Sequence, residues 1–89
     1  MKPYTVAKSI AGRDSGEWFA VISEADGLCL IVNGKSRPLA HPKRKKAKHL
    51  QFTSTVLCSE SLTTDRKLRA ALKAISADSN EGGNDLGQG

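Results

Sequence analysis

The chain has 89 residues and a formal net charge of +5, and it contains no run of about twenty apolar residues. That length allows one domain with a modest core, and leaves little room for both a fold and a deep catalytic cleft. No membrane-spanning helix is expected, and the opening MKPYTVAKSI lacks the apolar stretch and small-residue cleavage site of a secretory leader, so the expected compartment is the cytoplasm.

The elements follow in chain order. Val6 to Ile10 reads as a strand that ends at Ala11-Gly12. Gly12-Arg13-Asp14-Ser15-Gly16 is turn chemistry. Trp18 to Ile22 is aromatic and β-branched, a second strand. Trp18 and Phe19 face opposite sides of such a strand. With Phe19 and Val21 toward the core, Trp18 lies under another element or offers a stacking face. Asp26-Gly27 is a strong hairpin signal, and Leu28 to Val32 is the next strand. Asn33-Gly34 is a second hairpin signal, with Ser36 to Ala40 returning as a short strand. Pro38 marks that strand as an edge or an irregular end. Pro42 disfavours helix, so residues 41–49 read as an extended basic loop. Leu50 to Leu57 is the last of five strands, a count that predicts a mostly β fold, a small barrel.

The period then changes. Leu68, Leu72 and Ile75 recur at helical spacing, with Thr63 or Thr64 as cap and Asp65 at the positive end of the dipole. Arg66, Lys67, Arg69 and Lys73 lie off that stripe and offer an extension of any polyanion site. A helix this short is marginal alone, so it is expected to pack on the barrel. The expected organisation is a barrel over residues 1–57, a helical segment over 58–76 and a disordered tail over 77–89.

The charge is localised. Residues 35–49 carry Lys35, Arg37, Lys43, Arg44, Lys45, Lys46 and Lys48 with no acid, while the rest of the chain holds seven basic and nine acidic residues. Such a patch suits a polyanion. A phosphate backbone relieves the mutual repulsion of these cations and releases counterions. The plainer reading is a solvated loop. Cys29 and Cys58 are expected to be free thiols in a reducing compartment. With His41 and His49 they lack the paired spacing of zinc modules. No acid–base pair or nucleophile signature is present, so no catalytic residue, metal or cofactor is expected.

The stretch VAKSIAGRDSGEWFAVISEADGLCLIVNG resembles the KOW motif of ribosomal and transcription proteins, a strand, a glycine turn and a second strand. Gly16 matches the motif's glycine, and Val21 the apolar position on the following strand. The likeness continues through NGKSRPLAHPKRKKAKHLQ, and there it is similar to small bacterial KOW-domain proteins related to the large-subunit ribosomal KOW proteins of archaea and eukaryotes. Asn33 stands where such proteins usually carry Asp, and serves the turn equally well. The resemblance implies an SH3-like barrel that binds ribosomal or other structured RNA. The expected contact residues are Arg13 in the glycine turn, Lys35, Arg37, Lys43, Arg44, Lys45, Lys46, Lys48 and His49. The expected partners are RNA, ribosomal RNA above all, and the ribosome, with no membrane and a monomeric state. The alternative is a KOW protein-interaction module of the transcription or translation machinery.

Overall fold

The computed structural model describes residues 3–84, and the side chains of residues 3–77. Five strands form one antiparallel sheet: β1 (Thr5–Ser9), β2 (Trp18–Ala25), β3 (Leu28–Val32), β4 (Lys43–Lys46) and β5 (Leu50–Val56), in the spatial order β4-β3-β2-β1-β5. The 3-10 turn Ala47–His49 joins β4 to β5, and a second, Ser59–Leu62, leads into the helix α1 (Asp65–Asn84).

Strand alternation sorts the apolar side chains into two cores. Ala7, Phe19, Val21, Cys29, Ile31 and Leu50 cluster on one face. Val6, Ala20 and Val32 point to the other, where Leu68 and Leu72 of α1 cover them. Fully burying a side chain of the Phe19, Ile31 or Leu68 class contributes about 1.5–3 kcal/mol. Trp18 shares the helix face and packs half-buried against the edge of this second cluster, with part of its side chain lining the surface beside α1.

The two expected hairpin turns behave differently. Asp26 and Gly27 have φ of 54° and 78° and link Ala25 directly to its partner Leu28. Both central residues are left-handed, as a type I′ turn requires. Asn33-Gly34 is not a hairpin turn, and no strand forms over residues 36–40. The Asn33 side chain is buried and closes a loop: its Oδ1 accepts the N–H groups of Lys35 and Arg37, each at 2.9 Å. Gly34 lies against the first turn of α1, and a Cβ there would meet the Asp65 carbonyl oxygen at 2.5 Å. The Arg69 guanidinium donates to the Gly34 carbonyl at 2.7 Å, and the Asp65 carboxylate accepts from the Leu39 N–H at 2.7 Å. This segment anchors the helix instead of returning as a strand.

The fourth strand is therefore the basic run itself. Residues 43–46, expected within an extended loop, pair with β3. Thr64 caps α1, its hydroxyl accepting from the Lys67 N–H at 3.1 Å. The helix does not stop at Ser76 but continues to Asn84, because propagation on an existing nucleus adds one hydrogen bond per residue even where propensity is low. Of the expected disordered tail, residues 85–89 lie outside the described residues.

Candidate nucleic-acid interface

Successive residues of a strand point to opposite sides, and β4 applies that rule to four cations in a row. Lys43 and Lys45 lie opposite Ile31 and Cys29 of β3, and so share the face of the first core cluster. Arg44 and Lys46 lie opposite Leu30 and Leu28 on the other face, and both are exposed.

Lys45 is only 8 % exposed. Its ammonium forms an ion pair with Asp14 and donates to the Ala11 carbonyl at 2.7 Å. Lys43 reaches the other Asp14 oxygen at 3.4 Å. Burial pushes the Asp14 carboxyl up, but the hydrogen bonds from Lys45 and the Ser9 hydroxyl, with the charges of Lys45 and Lys43, outweigh it and hold the pKa at about 2. Asp14 is fixed by its own turn, in which the Glu17 N–H donates to the Asp14 carbonyl at 2.9 Å and the Gly16 N–H to the Ser9 carbonyl at 2.7 Å. The glycine turn is thus bound to β4 by charge. Lys45, expected to contact RNA, is instead an internal counter-ion, because a buried ammonium without a carboxylate would be costly.

The other expected residues remain accessible. Arg13, Lys35, Arg44, Lys46 and Lys48 are exposed, while Arg37, Lys43 and His49 are half-buried. Asn33 Nδ2 donates to Glu17 Oε1 at 3.2 Å and ties the loop carrying Lys35 and Arg37 to the end of the glycine turn. Arg13, Lys35, Arg37 and Lys43 therefore gather around one end of the sheet. Lys48 and His49 sit in the 3-10 turn, where the His49 carbonyl accepts from the Ile10 N–H at 2.9 Å.

Two features escape a reading of the residues alone. The role of Asp14 has no local signal, since its partner Lys45 is 31 positions away. The pairing of β1 with β2 sets Lys8 opposite Trp18, with the ammonium 5.6 Å from the ring centroid. Both cysteines are free, Cys29 buried and Cys58 exposed. Among the described residues no three His, Cys, Asp or Glu side chains converge to hold a metal, and no helix is long and apolar enough to cross a membrane. No family model matches the chain, and no curated protein matches it.

Proposed function

We propose that this chain is an RNA-binding protein of KOW type, an SH3-like barrel that holds structured RNA by its phosphates and associates with the ribosome in the cytoplasm as a monomer without a cofactor. The observation that carries this reading is a set of five exposed cations, Arg13, Lys35, Arg44, Lys46 and Lys48, none with an acidic partner among the described residues. Of the acids beside the patch, Asp14 is occupied by Lys45 and Lys43, and Glu17 accepts from Asn33 Nδ2. The strand order supports the barrel: β4 and β5 stand at opposite ends of it, yet only the three residues of one 3-10 turn separate them in the chain. Charges on a short edge strand also discourage edge-to-edge aggregation, but that role predicts no affinity for RNA.

The test is binding of a labelled ribosomal RNA fragment across a salt series. Four to six phosphate contacts give a log–log slope of about −3 to −5. The protein should also sediment with large ribosomal subunits at low salt, and an Arg44→Ala/Lys46→Ala variant should not. A protein that stays at the top of the gradient and binds the fragment without salt dependence contradicts the proposal.

One observation favours the protein-interaction alternative. Phe52 and Val56 on β5 are 40 % and 46 % exposed, apolar surface that RNA phosphates do not use. Binding to polymerase or a translation factor that survives high salt and is lost in Phe52→Ser would support it.

A further inference from the structure

A cleft of about 710 Å³ opens between α1 and the start of β2, separate from the outward face of β4. Its helix wall carries Arg66, Arg69, Ala70 and Lys73, spaced so that all four share one side of α1. Lys35 stands at the loop side, and Trp18 is the only aromatic lining residue. Four cations thus face one carboxylate, Glu17, which is already engaged by Asn33 Nδ2. Arg69 is held in place by its bond to the Gly34 carbonyl. Lys35, Arg66 and Lys73 have no acidic partner among the described residues.

A flat aromatic surface beside several cations matches a ligand that joins a flat ring to negative charge, which is the chemistry of a nucleotide. The volume lies in the range of small-molecule sites. A paired base inside a duplex cannot enter it, whereas a base splayed from a loop or bulge can. We infer that the cleft takes one unpaired nucleotide of the bound RNA, its base against the Trp18 indole and its flanking phosphates on Lys35, Arg66 and Lys73. This rests on the RNA-binding reading above and adds to it: the β4 cations read charge and shape, and the cleft selects RNA that has an unpaired base.

Trp18 is the only tryptophan of the chain, so its fluorescence reports on the cleft directly. The full chain is titrated with two dye-labelled RNAs of equal length, a blunt duplex and a duplex carrying a single-base bulge. Dye anisotropy measures binding, and tryptophan emission measures entry into the cleft. Both RNAs should bind, but only the bulged one should change Trp18 emission. Its affinity should exceed the duplex's by about tenfold, within the usual worth of stacking one base. Arg66→Ala/Lys73→Ala should abolish that preference. Equal binding of both RNAs with unchanged Trp18 emission overturns the inference and leaves the broader proposal standing. If neither RNA binds, both fall.

Discussion

Along β4, Lys43 and Lys45 turn toward the Asp14 turn, while Arg44 and Lys46 turn toward solvent beside Leu30 and Leu28. The four side chains are alike in charge and adjacent in sequence. Strand parity alone divides them. The inward half exchanges its charge with a carboxylate and fastens the glycine turn to the sheet. The outward half keeps its charge for another molecule. A basic run counted as a single patch overstates its valence, because part of the charge has already been neutralised by the fold.

The sharpest way to break this comparison is to remove the inward partner. Asp14→Ala leaves the Lys45 ammonium buried and unpaired, and stability measured by urea unfolding should fall by about 3 kcal/mol. Adding Lys45→Met should restore much of it, since an apolar side chain in that site has no charge to compensate. If Asp14→Ala unfolds within about 0.5 kcal/mol of the parent, the inward half holds nothing together.

Acid should produce a related but smaller effect. The Asp14 carboxyl, with a folded pKa of about 2, lies below its unfolded value. Its contribution is therefore fully present above about pH 4 and is lost as pH falls toward 2, a difference of about 2 kcal/mol. Stability profiles of the parent and of Asp14→Asn should converge as the pH falls through that window. Parallel profiles would show that Asp14 titrates alike in both states.

The outward half should respond in the opposite currency. Arg44→Ala/Lys46→Ala should leave stability within about 0.5 kcal/mol of the parent. It should weaken RNA binding about tenfold at moderate salt and make the salt slope shallower by about 1.4–1.8, the share of two phosphate contacts. An unchanged slope would mean that these residues serve only as edge protection.

Part of this division is legible in the sequence and part is not. The Asp26-Gly27 turn is set by the two residues that form it, so β3 has its expected bounds, while β2 runs on from the expected Ile22 to Ala25 to meet the turn. Asn33-Gly34 carries the same local signal and does something else, because Asn33 hydrogen-bonds its own loop and Gly34 meets Asp65 of a helix far along the chain. Four consecutive cations have poor strand propensity, and Pro42 precedes them. It is the neighbouring β3, with Leu28 to Ile31 in register, that makes residues 43–46 a strand. Which lysine turns inward then depends on that register and on Asp14, neither of which periodicity within the run reveals. The apolar stripe of α1 was readable because 3.6-residue spacing is internal to the helix. Its continuation past Ser76 was not, because nothing local in that composition favours helix.

Lys43 is the residue that tests how sharp the division is. By parity it belongs to the inward half, yet its side chain is 34 % exposed against 7 % for Lys45, and its contact with Asp14 is 3.4 Å. A pair that open to water contributes about 0.5 kcal/mol or less. Lys43→Ala should therefore lower stability by no more than that, since Lys45 still satisfies Asp14. It should also weaken RNA binding by about two- to threefold, less than a fully exposed phosphate contact, because part of its field is already spent on Asp14. A stability loss near that of Asp14→Ala would place Lys43 wholly with the buried counter-ion. An affinity loss equal to that of Arg44→Ala, with no change in stability, would place it wholly with the outward set. The intermediate result on both axes is the one a graded exposure along β4 demands.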